Sequence, residues 1–262
     1  YPSVVSPGEC RPAMASSSAS LFEPPTWAGS SASGYTVLMC GRYTHRLTWP
    51  EIVALYRLSE PAVAPNDFGP RYNIAPTQRA PVIRKRDGGR ECAMLRWGLI
   101  PFWAKDAKIA YKTINARAET VATAPSFRAA WKARRCLIPT SGFYEWRKAP
   151  EGKQPYLIGF KDGRPFSFAG LWESWKDKAS GETIESYTII TGAPNAVAAE
   201  IHDRMPVIIG SQDFDRWLGA GMPPVDLLKP YPATEMTAFP VSRAVNSPAK
   251  DEPSLVEPIA IG

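Results

Sequence analysis

Residues 136–172, CLIPTSGFYEWRKAPEGKQPYLIGFKDGRPFSFAGLW, hold three runs rich in aromatic and β-branched side chains, at 136–147, 155–160 and 165–172. Only turn-forming stretches such as Lys161-Asp162-Gly163 separate them. Such runs read as strands, and the gaps leave no room for the helix a parallel crossover needs. Working outward, further strand candidates lie at 80–86 and 91–97, parted by Asp87-Gly88-Gly89, and at 185–191, 205–209 and 235–241. Helical signals are fewer. Thr48-Trp49-Pro50-Glu51 has the capping-box form and precedes Ile52, Val53, Leu55, Tyr56 and Leu58, which predicts an amphipathic helix ending near Ser59. Shorter helices are expected at 126–133, 195–201 and 211–218, the last opened by Ser211 and closed by Gly219. Strands that do not alternate with longer helices argue against a doubly wound parallel sheet. The expectation is an α+β fold with a mixed, mostly antiparallel, β-barrel-like core and a few peripheral helices.

The chain has 262 residues, 44% hydrophobic and 21% charged, which excludes fibrous and wholly disordered classes. Its 27 prolines are about twice the usual share and predict many turns. Residues 1–38 hold nine Ser and five Pro, no Lys and no apolar periodicity. This composition predicts a disordered leader or an appended extension, with 39–262 as a single domain. Taking Arg11 from the 31 basic residues, and Glu9 and Glu23 from the 25 acidic ones, leaves 30 against 23. The body is therefore +7, a bias that suits an anionic partner such as nucleic acid.

Cys10, Cys40, Cys92 and Cys136 lie at least 30 residues apart, with no CxxC pair and only His45 and His202 as imidazoles. That argues against structural zinc, and for reduced thiols in a reducing compartment. Cys92 and Cys136 are expected to be buried. No run reaches the roughly 18 apolar residues of a membrane span, and no signal peptide is evident. A soluble, cytoplasmic protein without a membrane partner follows as the expectation. A monomer is expected too, since no heptad or symmetric apolar face is visible.

Four local sequences could carry chemistry. In Met39-Cys40-Gly41-Arg42-Tyr43, loss of the Met would expose an N-terminal cysteine. Its amine and thiol, with reference pKa values of about 7.7–8.0 and 8.5, would both be available near neutrality. An aldehyde could condense with the amine, and the thiol could close a thiazolidine ring. Arg71-Tyr72-Asn73-Ile74-Ala75-Pro76, the 96–103 stretch RWGLIPFW and the 114–120 stretch INARAET interleave Arg, Asn and aromatics. These residue types fork onto phosphates and stack on bases. Glu145 stands among aromatics in the 142–146 stretch GFYEW, where desolvation would raise its pKa for proton transfer. His202, in the 199–206 stretch AEIHDRMP, could act as acid or base, with Asp203 or Arg204 orienting neighbours or phosphate. Taken singly, each has an ordinary structural reading: a core cysteine, an aromatic core with surface Arg, a solvent-facing Glu on an alternating strand, and a hydrogen-bonded His. His45 has no comparable surroundings and reads as structural.

Taken together and in order, MCGRYT, RYNIAPTQ, WGLIPFW, INARAET, CLIPTSGFYEW and IHDRMPVII resemble the SOS response-associated peptidase family, whose members are abasic-site-processing proteins. The similarity runs from Met39 to about Ile259 and includes the 240–246 stretch PVSRAVN. The resemblance implies a compact α+β fold with a barrel-like centre. It also implies sensing and shielding of abasic sites in single-stranded DNA by a covalent thiazolidine crosslink, with thiol autopeptidase activity and no cofactor or metal. Carried over by position, Cys40 is the nucleophile, Asn115 holds the reacting sugar, and Glu145 and His202 handle protons. Arg42 and Arg117 match phosphate contacts, while Asn73, Pro76 and Trp146 border the DNA channel. Because 39 residues precede Cys40, its amine is an amide until the Met39–Cys40 bond is cut. Two other functions remain open: a cysteine peptidase acting on other proteins through Cys40 and His202, and a noncovalent module for single-stranded nucleic acid.

Overall fold

The computed structural model describes residues 40–59, 63–86 and 88–261. The expected disordered leader, and Met39, lie outside the described residues. Among those described are strands β1 (Arg42–His45), β2 (Arg71–Ile74), β3 (Arg79–Arg86), β4 (Gly89–Trp97), β5 (Asn115–Arg117), β6 (Arg135–Thr140) and β7 (Gly142–Ala149). They continue with β8 (Gly152–Phe160), β9 (Phe166–Lys176), β10 (Thr183–Gly192), β11 (Met205–Pro206), β12 (Ile208–Ile209) and β13 (Met236–Pro240). The α-helices are short: α1 (Trp49–Tyr56), α2 (Arg128–Ala133), α3 (Ala196–Ala199) and α4 (Phe214–Leu218).

The strands form two sheets. One is antiparallel, in the order β13-β8-β7-β1-β2. In the other, β10, β4, β3, β6 and β9 follow in turn, and β9 pairs back onto β10, closing a five-stranded barrel. Its β4–β10 contact is parallel and its other contacts are antiparallel. The expected α+β class with a mixed, mostly antiparallel barrel is thus the architecture found. Closure leaves the barrel strands no open edge along their paired lengths, the usual remedy for unpaired backbone groups.

Alternating side chains divide the core. Val82, Leu95, Trp97, Ile138, Phe168 and Tyr187 pack with Tyr43, Phe143 and Ile158 of the antiparallel sheet. Ile83, Leu137, Leu171 and Ile190 pack instead with Ile52 and Tyr56 of α1, Trp131 of α2 and Trp217 of α4. At the centre of the first cluster, Tyr43 meets the edges of Trp97 and Phe168 at 5.3 and 5.8 Å, and its hydroxyl lies 2.7 Å from that of Tyr187. Arg84, almost fully buried, is satisfied by Glu91 at 2.6 Å and Glu185 at 2.7 Å, and its guanidinium lies 4.2 Å from the Trp172 ring centre. Such a buried cation needs this pairing. Cys136 is buried as expected and Cys92 half-buried, and both are free thiols.

Several local expectations change. The run 136–147 is two strands in two sheets. Thr140 Oγ1 donates to Thr44 O at 3.0 Å, and Gly142 lies so close to Leu157 and Ile158 O that a Cβ there would crowd both at 3.0–3.2 Å. The chain can leave the barrel at this point because Gly has no Cβ. The 205–209 run breaks likewise at Val207, whose N–H donates to Ile190 and whose carbonyl accepts from Ala169, each at 2.8 Å. Short strands β1, β2 and β5 are not among the expected ones, since four or fewer residues give alternation no room to show. Helix α1 has its capping box, with Glu51 accepting from Thr48 N–H at 2.7 Å, but ends at Tyr56 because Arg57 turns left-handed at φ 48°. Ser211 does not cap α4. Gly210 opens a 3-10 turn at Ser211–Asp213, and α4 follows from it to end before Gly219.

Candidate active site

The antiparallel register of β1 against β7 pairs Arg42 with Tyr144 and Tyr43 with Phe143. Continued toward the N-terminus, it sets Gly41 opposite Glu145 and Cys40 one residue further on, within reach of the same carboxyl. The Cys40 N–H donates to Glu145 Oε1 at 2.7 Å, across 105 residues of sequence. From the barrel, β5 lies parallel to β10 with Asn115 opposite Ile189. This places Asn115 Nδ2 3.4 Å from the Cys40 carbonyl oxygen, a long contact that it donates. Cys40 is therefore held at both its amide nitrogen and its carbonyl. It is 1% exposed and its φ is +42°, in the left-handed region that costs a non-Gly residue energy and recurs at functional sites.

Burial governs the electrostatics. Glu145 is 2% exposed, so the solvent-facing alternative for it is overturned. Desolvation, reinforced by Asp203 and opposed by the Cys40 N–H and Lys153, raises its pKa from 4.5 to about 8. The Cys40 thiol is pushed well above its ordinary value by burial and, to a lesser degree, by Glu145. At neutral pH both groups keep their protons. His202 is lowered from 6.5 by burial and by nearby Lys153 and Arg204, against the pull of Asp203. Its Nδ1 lies 3.2 Å from the Arg204 backbone nitrogen, whose N–H it can accept. The Asp203 carboxylate 2.9 Å from the same Nδ1 becomes an ion-pair partner only when the ring is protonated. Glu145 and His202 thus share Asp203 and Lys153 as charged neighbours. Lys153 gave no sequence signal: it faces Lys148 across the β7–β8 hairpin, and only that pairing brings it near the acid.

The other expected residues are distributed more widely. Arg117 is exposed on β5, one strand residue beyond buried Ala116. Pro76 is half-buried in the turn between β2 and β3. Arg42, Asn73 and Trp146 gather instead at the C-terminal segment. Arg42 Nη1 donates to Asn73 Oδ1 at 3.0 Å and Val245 O at 2.6 Å, and Nη2 to Asn246 O at 3.1 Å. Trp146 Nε1 donates to Asn246 Oδ1 at 2.8 Å. Asn73 is fully buried and gives Nδ2 to Val245 O, Ser247 O and Lys250 O. In RWGLIPFW, Trp97 belongs to the core, whereas Phe102 and Trp103 are 60% and 48% exposed. Arg204 makes a bidentate pair with Glu119 at 2.6 and 2.9 Å. His45 is buried and structural in position, near Phe68 at 5.3 Å between ring centres. Among the described residues, no helix is long and apolar enough to cross a membrane.

The chain as a whole has relatives among known proteins. A family model described as SOS response associated peptidase (SRAP) matches residues 39–248. The Bacillus subtilis protein named abasic site processing protein YoqW is 42% identical over 224 residues, covering 84% of this chain and 99% of that one. The Gallus gallus protein named abasic site processing protein HMCES is 33% identical over 228 residues, covering 74% of this chain and 68% of its own length. A crystal structure of a Bacteroides thetaiotaomicron protein, 31% identical, superposes with a TM-score of 0.76 over 84% of this chain and all of that one. With the family model spanning most of its length, and a relative 42% identical across nearly all of that relative, the chain belongs to the SOS response associated peptidase family.

Proposed function

We propose that this protein processes abasic sites in single-stranded DNA by capturing them covalently on Cys40. The observation that carries the reading is the 2.7 Å contact between the Cys40 nitrogen and the buried Glu145 carboxyl. It joins the atom that would become an amine to an acid poised near neutrality. The relatives' names, abasic site processing proteins, supply the substrate class.

The steps balance without an oxidant or reductant. Hydrolysis of the Met39–Cys40 bond consumes one water and leaves a free α-amine. The Cys40 thiol, assisted by Glu145, is the agent of that cleavage. The neutral amine then adds to the aldehyde carbon of the ring-opened sugar, and loss of water gives an imine. Glu145, in its protonated form, donates to the departing hydroxyl. The thiol sulfur adds to the imine carbon as its proton passes to nitrogen, closing the thiazolidine. Neutral His202 serves the sugar oxygens during ring opening, and Asn115 holds the sugar beside the Cys40 carbonyl. Arg117 takes a flanking phosphate, as does Arg42 through the donors left over from its contacts with Asn73, Val245 and Asn246, while Pro76 and Trp146 shape the channel; Asn73, fully buried, bears on it only through the C-terminal segment it holds. The body's positive charge adds affinity that falls with salt.

The test uses a chain beginning at Cys40 and a single-stranded oligonucleotide carrying one abasic site, resolved on a denaturing gel. A shifted band is expected for the wild type and none for Cys40→Ala or for a chain that retains Met39 uncleaved. Equal crosslinking by Cys40→Ala overturns the reading. Cleavage of unrelated peptides, lost in His202→Ala, would establish a general cysteine peptidase in its place. Salt-sensitive DNA binding blind to the abasic site would establish the noncovalent module.

A further inference from the structure

The C-terminal segment after β13 crosses the face of the antiparallel sheet that carries Tyr144 and Leu157, burying Val241, Val245 and Leu255 against them. It is pinned from both sides. Val241 pairs with Pro258, and Ile259 N–H donates to Pro240 O at 3.0 Å. From below, Asn73 Nδ2 reaches the Ser247 and Lys250 carbonyls at 2.9 and 2.7 Å, and Asp251 accepts the Asn73 N–H at 3.0 Å. Within the segment, Ser242 Oγ accepts the Ala244 N–H at 3.2 Å and starts the 3-10 turn Arg243–Asn246. Arg42 clamps the end of that turn through the Val245 and Asn246 carbonyls. Asn246 is therefore an acceptor whose backbone is fixed from several directions, though it stands at the surface.

That fixed acceptor meets one donor, the Trp146 indole N–H, at 2.8 Å. Trp146 follows Glu145 directly on β7 and is half-buried. An indole free to turn about its side-chain torsions loses entropy each time it stacks on a base, whereas one tied at Nε1 has already lost it. We propose that Asn246 is a positioning residue for capture, holding the Trp146 ring in the orientation that receives the nucleobase next to the abasic sugar. This rests on the capture reading above. Asn246 touches neither the sugar nor Cys40 and acts through Trp146.

The experiment measures capture rate against concentration of the abasic oligonucleotide for wild type, Asn246→Ala, Trp146→Phe and the double variant, each beginning at Cys40. Having to order the freed indole at each binding event raises the half-saturating concentration about fivefold in Asn246→Ala, with the maximal rate little changed. The thermal midpoint stays within about 3 °C, because the turn is held by backbone contacts that survive. Trp146→Phe keeps a ring but loses the N–H, so adding Asn246→Ala to it has no further effect. An unchanged half-saturation in Asn246→Ala, or a full additional loss in the double variant, overturns the proposal. Failure of the wild type to crosslink sinks the capture reading instead. The same fivefold loss and the same non-additivity are then sought in noncovalent binding of an undamaged single-stranded oligonucleotide, and their absence there overturns the positioning role as well.

Discussion

Replacing Glu145 with Gln removes a carboxyl that the fold buries and holds above its ordinary range while preserving shape and the oxygen that accepts the Cys40 N–H. In the unfolded chain this group ionises near 4.5, and in the folded protein near 8. For an acid whose folded value is raised, the stabilising difference is fully present below the unfolded pKa and is lost as pH rises through the folded one. A gap of about 3.5 units at about 1.4 kcal/mol each makes the loss about 5 kcal/mol between pH 4.5 and 8. The amide that E145Q introduces does not titrate, so the stability of E145Q minus that of wild type should climb by about that amount over this window and level off above it. Urea unfolding of the two proteins at intervals from pH 4.5 to 9 measures the difference. Any constant offset from the new amide drops out of the slope. A difference flat to within about 1 kcal/mol across the window would show that the carboxyl ionises as easily as an exposed one, and the argument that burial prepares it for proton transfer would fail. The gain in stability should come with loss of crosslinking, the usual exchange at a site kept strained for function.

Three further outcomes follow from the same structure. His45, fully buried and held down to about 4 chiefly by burial, should cost stability as pH falls from 6.5 to 4, so the stability of His45→Leu minus that of wild type should rise by about 3 kcal/mol over that range in chemical denaturation, with the Glu145 contribution cancelling in the difference; a flat difference refutes this. Asn73→Ala should cost about 1–3 kcal/mol by stranding the Lys250 carbonyl and leaving Val245 O and Ser247 O one donor each, and should open the C-terminal segment to limited proteolysis before the barrel; simultaneous cleavage of both would contradict it. Gly98→Ala should be more disruptive than Gly163→Ala in urea midpoint. Both positions have positive φ, but a Cβ at Gly98 would sit 2.7 Å from Ala110 O, whereas Gly163 has open space; equal losses of about 1 kcal/mol would mean the close approach relaxes freely.

Much of the architecture was legible because it rests on short-range signals. Turn residues at Asp87-Gly88-Gly89 and Lys161-Asp162-Gly163, strand-like runs between them and the Thr48–Glu51 capping box all act within a few residues, so reading neighbours suffices. What these signals lack is destination. Nothing in 136–147 says that Thr140 stays in the barrel while Gly142 enters the other sheet, because the reason is a contact with Leu157 and Ile158 beyond the next turn.

The chemistry divides along the same line. By residue type and order alone, the chain determined its family resemblance and named Cys40, Asn115, Glu145 and His202 as the groups to watch. Only the tertiary structure decided that Glu145 is buried and meets the Cys40 nitrogen across 105 residues, that Asn115 reaches the Cys40 carbonyl, and that Lys153 lies close enough to influence the acid. It also decided that Arg42, Asn73 and Trp146 converge on the C-terminal segment, Arg42 and Trp146 at Asn246 and Asn73 at its neighbours. The physical reason is that residue identity sets what a side chain can do, whereas desolvation and hydrogen-bond partners set when it does so, and both are properties of neighbours brought together by strand register and barrel closure.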